Sequence, residues 1–460
     1  VVHAQDDGGT DDGTNAGTNA GTNAGTNDGN NTGGNTNFIV STGAVGGILI
    51  DANGMVLNAN VDQMGQLAEM RRQALGPVDE VFGEGLQLRK ISLRRLETAI
   101  ADFAERDQPI TEEIFFLAGL QRIEYVFVDP DQNDIVLAGP GEGWQLDQRG
   151  NVVGVTTGRP VMNLDDLLVA LRSAKAAAQG GISCSIDPTP DGLDRMRSFV
   201  SRLRGIGPNP EATVINIQES VGPQKIRVGG VPASSHFARV LVAADYRMKR
   251  LAMNFEPAPV NGMTSFMHLV KAAPSAGRNM LPRWWLEPKY DSLLKDESGL
   301  AWQLRLIGIE CQTEEDFLDR DGNVKHAGRA GGLAQRWATQ MTDHYEELAL
   351  ADPIFGELQN VVDLAVVAAL IVKEDLTAKA QYSMPVLMDP VATPAAKLEA
   401  PSEVASQASV IKQRRQWVIS VSGGVEINSW QIADRVETDA AVAGVRGKAL
   451  ASDTEHWWWN

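Results

Sequence analysis

From Val361 to Val372 the sequence is apolar at every position except Asp363. With Leu358 before them, Val362, Ala365, Val366, Ala369 and Leu370 cover nearly the whole circumference of a helix. A helix of that kind has to be covered on every side. The run is shorter than the ~18 apolar residues of a membrane span, so it predicts a long helix at the centre of a folded body, and no span. Asp352-Pro353 supplies its start, with Asp as the cap and Pro in the first turn. A preceding stripe of Leu333, Trp337, Met341, Tyr345 and Leu348 predicts a second long helix, and the two together a central helical hairpin.

Short strands and helices alternate around this centre. Gly47–Leu57 reads as a hairpin turning at Asp51-Ala52-Asn53-Gly54. Related phrases recur at Asp147-Gln148-Arg149-Gly150 and Asp319-Arg320-Asp321-Gly322. In each, Asp can accept backbone N–H bonds and Gly can take φ > 0. Ser92 is placed to cap a helix with the stripe Leu93, Leu96, Ile100 and Phe103, and Asn163 one with Leu164, Leu167, Leu168 and Leu171, stopped by Gly180-Gly181. Ile182–Ile186, Thr213–Gln218 and Lys225–Val228 read as strands, Pro190 as a helix start, and His236–Leu251 as a helix. Trp284–Leu286 and Ala301–Leu306 read as an antiparallel pair, and Pro385–Pro401 as a linker or wrap-around strand. Trp417–Val421 and Val425–Trp430 read as a hairpin around Gly423-Gly424.

The expected fold class is α+β: several small mixed α/β units with β-hairpins, the central helical hairpin and a low-complexity N-terminal extension. The expected units are a tail at 1–37, an α+β domain at 38–180, a middle α/β domain at 181–265, a hairpin and long-helix domain at 266–385, and a C-terminal region at 386–460.

From Gly13 the extension repeats Gly-Thr-Asn-Ala, and no large apolar side chain occurs between Gln5 and Phe38. Such a segment cannot offset its ordering entropy by burial, so in a lone molecule it reads as a spacer. When the chain is extended, Gly and Asn fall on one face and Thr and Ala on the other. Neighbouring copies could then order it through close packing and Asn ladders. Thr14, Asn15, Thr18, Asn19, Thr22 and Asn23 are therefore candidate contacts between copies. Trp457, Trp458 and Trp459 are further candidates. Three adjacent indoles dock on their own chain, anchor in a neighbouring subunit, or serve as a carbohydrate platform.

The net charge is −18, and no Lys or Arg precedes Arg71. That argues against a nucleic-acid partner and against a polybasic grip on anionic lipid. Val2-His3-Ala4 has the small-residue spacing that signal peptidase accepts, so export is expected. In an exported protein Cys184 and Cys311 permit one disulfide; the alternative is two separate buried thiols.

Motifs that announce a chemistry are missing. The six His residues form no H-E-x-x-H set, and there is no G-x-S-x-G. Gly139–Gly143 reads as a turn, since no P-loop Lys accompanies it. Glu112/Glu113 and Glu314/Glu315/Asp316 sit at expected helix starts, where acids favour the dipole. Asp245–Arg250 reads as an ion-paired helix face, and the adjacency of Ser235 and His236 says little about a triad. The acidic opening from Asp6 to Asp12 fits no calcium-loop spacing and leaves calcium only a weak option. No catalytic, cofactor-binding or metal residue is assigned, and no cofactor is expected.

Several phrases stand together: Leu120-Gln121-Arg122-Ile123, Tyr125–Pro130, Asp134–Pro140 with Gly143-Trp144, Gly158-Arg159-Pro160, Val242–Lys249 and Asp363–Leu370. In these the chain is similar to a family of uncharacterised exported proteins from planctomycete bacteria, over roughly residues 80–375. The resemblance implies a cell-envelope or extracellular setting and carries no activity or site residue. The function expected is a secreted structural protein whose copies self-assemble into a filament, tube or coat. The alternatives are an envelope hydrolase acting on polysaccharide or peptide through Asp/Glu, and a periplasmic binding or scaffold module. The expected partners are copies of the same chain, with surface polysaccharide as a further one.

Overall fold

The computed structural model describes residues 44–45, 48–58, 85–147, 150–203, 209–273, 280–318, 324–326, 332–411, 416–420, 422–451 and 458–460. Contacts divide the chain into Val1–Thr36 and Asn37–Asn460, and every described residue belongs to the second unit. The tail residues Thr14, Asn15, Thr18, Asn19, Thr22 and Asn23, together with Trp457, lie outside the described residues.

The class is α+β. The described residues form twenty strands and thirteen α-helices. The larger sheet runs β1 (Ala44–Val45), β2 (Ile48–Ile50), β3 (Met55–Asn58), β16 (Glu403–Val404), β10 (Gln224–Gly229), β9 (Ile182–Pro188), β19 (Ser422–Ile427), β11 (Met280–Tyr290), β14 (Leu306–Leu318) and β15 (Val324–His326). To β11 is added β18 (Gln416–Ser420), which pairs with β17 (Gln407–Ile411). The smaller sheet runs β20 (Val436–Thr438), β12 (Leu293–Lys295), β13 (Ala301–Gln303), β5 (Tyr125–Asp129), β6 (Asp134–Gly141) and β4 (Leu86–Ser92). A separate hairpin joins β7 (Trp144–Leu146) and β8 (Val152–Gly154). One sheet thus draws strands from all four expected domains of the body. The boundaries at 180, 265 and 385 do not separate compact units, because strand pairing ties the segments into one core.

That core is built on α10 (Pro353–Lys373), which packs against α3 (Leu164–Ala177), α6 (His236–Ala252), α9 (Tyr345–Ala351) and α12 (Ser429–Asp434). By length and composition α10 could cross a membrane, yet 94% of its most apolar window is buried inside the body. Asp352 does not cap it with its side chain. The carboxylate instead accepts from Arg247 Nε at 2.7 Å. The stripe before it is two helices, α8 (Gly332–Asp343) and α9, separated at His344.

Local signals account for several elements. Ser92 caps α1 (Leu93–Glu105) by accepting from Arg95 N at 3.1 Å, and Thr189 caps α4 (Pro190–Arg202), where Pro190 takes the first turn. Asp51 Oδ1 accepts from Asn53 N and Met55 N, and Gly54 takes φ +79, so the first Asp–Gly hairpin turns as its residues dictate. The second repeats it, with Asp147 Oδ1 accepting from Asn151 N and Gly150 at φ +85. The third lies outside the described residues.

Other readings give way. Thr213–Gln218 belongs to a helix, α5 (Pro210–Val221). Asn209 caps it, and Ile217 and Val221 are buried four residues apart against α4. Ala301–Gln303 pairs with β5 and β12, while Trp284–Leu286 pairs with Thr313–Cys311 of β14. Glu314–Asp316 therefore sits on a strand, not at a helix start. Gly423-Gly424 is no turn but the interior of β19. A Cβ on Gly424 would collide with the Cys184 carbonyl, and one on Gly423 with that of Trp284. Two neighbouring backbones come too close for a side chain there.

Pro385–Pro401 wraps over the body without regular structure. Its backbone is held by buried and half-buried side chains: Val386 N and Leu387 N donate to Glu97, and Arg172 donates to the Leu387 and Thr393 carbonyls. Ala396 N donates to Asp165, and Arg239 donates to the Glu399 carbonyl. The remaining short helices are α2 (Glu112–Phe115), α7 (Phe266–Ala272), α11 (Leu376–Ala380) and α13 (Ala440–Ala451).

Candidate functional site

Two polar clusters hang on α10. The first centres on Asp363, whose side chain is fully buried. Each of its oxygens has two donors. Oδ2 accepts from Arg122 Nε at 2.6 Å and Ile123 N at 3.1 Å; Oδ1 accepts from Arg122 Nη2 at 3.2 Å and from the Tyr290 hydroxyl. Burial opposes the charge on Arg122, but the Asp363 carboxylate prevails and holds the guanidinium protonated, while burial and the same carboxylate push the Tyr290 phenol up. Nearby, the Arg159-Pro160 loop rests on α9 and α10: Arg159 pairs with Glu346 of α9 at 3.1 Å, and Asn360 Nδ2 of α10 donates to the Pro160 carbonyl. All bonding capacity around Asp363 is used, as in a structural joint between β11, α10 and the segment before β5.

The second cluster lies where α3 and α6 begin, beside the second turn of α10. Asn163 caps α3, accepting from Asp166 N at 2.9 Å, and its Nδ2 returns a bond to Asp166 Oδ2, also at 2.9 Å. Ser235 caps α6, accepting from Ala238 N, which fixes His236 as the first helical residue. The two caps bring His236 Nδ1 to 2.9 Å from Asp166 Oδ2. Glu357 projects from α10 into their field.

The electrostatics differ from those at Asp363. Burial works against the His236 cation, but Asp166 overrides it and holds the imidazolium to about 9. Burial raises the Glu357 carboxyl to about 7; His236 pulls it down, while Asp166, Asp352 and Asp147 push it up. Burial also lifts Asp165 to about 6, against the bond from Ala396 N. Asp166 is only 4% exposed, yet its Oδ1 has no hydrogen-bond partner among the described residues, and neither does Glu357 Oε2. A buried oxygen left unmet costs about 1–3 kcal/mol. The cluster thus holds an imidazolium fixed by Asp166, a carboxyl that changes state near neutral pH, and two buried acceptor oxygens without a hydrogen-bond partner among the described residues. Among the described residues no group of three or more His, Cys, Asp or Glu is arranged to hold a metal ion.

The sequence-predicted residues fall elsewhere. Cys184, Val425, Leu286 and Cys311 are successive rungs across β9, β19, β11 and β14. Three strand spacings of ~4.8 Å put the cysteines about twice too far apart for a disulfide, and both are free, buried thiols. Trp458 and Trp459 are 4% and 7% exposed and pack on their own chain along β4, the first of the three expected placements. Asp245 and Lys249 do form an ion pair, at 2.8 Å, but inside the core rather than on a solvated face. Gly139 and Gly141 end β6; a Cβ on Gly139 would strike the Arg122 carbonyl. Asp166 gives no local signal because an acid in a first turn suits the dipole anyway, and Glu357 gives none by itself because a single acid near the start of an apolar helix fits a capping or solvated role. The usable signal was an acid opening the most apolar helix of the chain.

By architecture this is an α+β body with an unsaturated His–Asp–Glu cluster at converging helix starts. Residues 184–266 match DUF1598, a protein family of unknown function. That stretch supplies His236 and its cap, while Asp166 and Glu357 come from outside it. No curated protein and no solved structure matches the chain.

Proposed function

We propose that the body carries the acid–base centre of a hydrolase. Glu357 exchanges the proton, and His236, kept protonated by Asp166, acts as a fixed hydrogen-bond donor in a neutral ion pair. The supporting observation is a carboxyl held at about 7, with an unmet buried oxygen, next to an imidazolium held at about 9. A general acid or base works best with its midpoint near the working pH. Asp166 engages Nδ1, and the protonated ring keeps an N–H at Nε2, which donates to an oxygen of the scissile group. Glu357 takes a proton from the attacking water and returns it to the leaving atom. The substrate is a glycosidic or peptide bond met in the exported, envelope-facing setting that the resemblance implies.

The test is an NMR titration of the carboxyl and imidazole signals in the full chain. The expected midpoints are about 7 for Glu357 and about 9 for His236. Midpoints at ~4.3 and ~6.5, the values of unperturbed side chains, would remove the basis of the proposal. Against fluorogenic glycosides and peptides, Glu357→Gln should lose about 10²–10⁴-fold of the wild-type hydrolysis while keeping its fold.

The four-residue repeat supports a second reading, in which the tail joins copies into a polymer through Thr14, Asn15, Thr18, Asn19, Thr22 and Asn23. Removing residues 5–37 should then abolish assembly; particles that form equally well without them would end this reading.

A further inference from the structure

β4 stands at the edge of the smaller sheet, with β6 on one side only. An edge strand offers its outer backbone groups to any strand that reaches them. Three residues of the same chain take that place. Trp459 bridges Ile91 in antiparallel fashion, Ser92 N donates to the Trp458 carbonyl at 3.0 Å, and Lys90 N donates to Asn460 Oδ1 at 2.9 Å. The Arg89 guanidinium lies 5.3 Å from the Trp459 ring centre, and Trp458 meets Trp459 edge to face at 6.3 Å. Arg89 is itself fully buried, donating to the Ala118 carbonyl. Backbone pairing along an edge with side chains seated in pockets is how strand addition recognises a peptide. The chain is anchored again just before this strand, at the end of α13, where Lys90 Nζ donates to the Ala449 carbonyl at 2.6 Å.

We propose that β4 is a docking site for the Trp458-Trp459-Asn460 strand of a second copy of this chain, in exchange with the strand that fills it in cis. The same contacts form either way, so exchange sacrifices none of them. Six residues separate Ala451 from Trp458, and extended they reach up to ~20 Å, enough to cross to a copy packed alongside. Two indoles, each able to bury ~150–250 Å², give so short a strand enough apolar contact to bind untethered. The tether holds the cis strand at an effective concentration in the millimolar range. Exchange therefore belongs to crowded conditions, where neighbours approach that concentration. This proposal is independent of the acid–base reading.

The test uses the full chain with Trp458→Ala and Trp459→Ala together, which empties the edge. A fluorescent peptide of residues 452–460 should bind this variant saturably at micromolar concentration. The same peptide with Trp459→Ala should bind at least tenfold more weakly, and the wild-type chain, already filled, should take up little of either. In sedimentation, the wild type should associate reversibly towards millimolar concentration and the double variant should not. Failure of the peptide to bind the emptied edge, or equal association of variant and wild type, would overturn the proposal. Should the double variant not fold, Trp459→Leu loosens the cis strand while keeping an apolar side chain. It should then admit the peptide, and no uptake there counts equally against docking.

Discussion

Asp363 and Glu357 lie six residues apart on the same helix, and their surroundings oppose each other. Asp363 receives four donors and ties three parts of the fold together. Glu357 keeps an unmet oxygen and feels the His236 cation against three acids, Asp166, Asp352 and Asp147. A saturated buried carboxylate is a fastener, because every bond it could make is already made. An unsaturated one is held in a state the fold alone does not favour, and such local conflicts collect at functional sites.

The sharpest way to break this contrast is Asp363→Ala. It leaves the half-buried Arg122 without its partner, and removing one member of a buried pair costs about 3–5 kcal/mol. Denaturant unfolding should record that loss; a loss below ~1 kcal/mol, the range of exposed ion pairs, would contradict the fastener role. Arg122→Lys comes next. The forked geometry is lost while the charge remains, at a cost of about 1.5–3 kcal/mol for hydrogen bonds to a charged group, read by the same titration.

At the other cluster the expected effects are on pH dependence. The folded Glu357 midpoint of about 7 lies above its ordinary 4.5. The folded state therefore binds the extra proton between those values, and stability falls as pH rises through that window. His236, raised from 6.5 to about 9, contributes stability that is fully present below 6.5 and lost as pH rises through 9. Melting temperature measured across pH should show Glu357→Gln flattening the first slope and His236→Gln the second, relative to wild type. A Glu357→Gln curve parallel to the wild type would place that carboxyl with ordinary surface acids. The smallest effect is expected from Asn163→Ala, which removes the α3 cap at about 1 kcal/mol and one of the two side-chain bonds to Asp166 Oδ2. Thermal unfolding checks the cap, and a shifted His236 midpoint by NMR checks the link to Asp166.

Much of the local structure was legible in the residues. Ser92 and Asn163 cap where a capping residue precedes an apolar stripe, Pro190 opens α4, and the Asp–Gly phrases at Asp51 and Asp147 turn hairpins. Each rests on an interaction that closes within four residues. The central place of α10 was equally legible, because a helix without a polar face has nowhere else to go. Gly423-Gly424 misled for the opposite reason. The same absence of a side chain serves a turn or a close strand crossing, and only the approach of the Cys184 and Trp284 carbonyls selects the second.

Sequence by itself determined the caps, the turns, the buried helix and the α+β class, all consequences of short-range bonding and periodicity. Tertiary structure decided which strands share a sheet, that Cys184 and Cys311 stand three strands apart, that Asp166 pairs with His236, and that Glu357 lies within their electrostatic reach. Those three residues belong to different helices. Their proximity depends on how α3, α6 and α10 pack, and packing is a property of the whole core that no local pattern encodes.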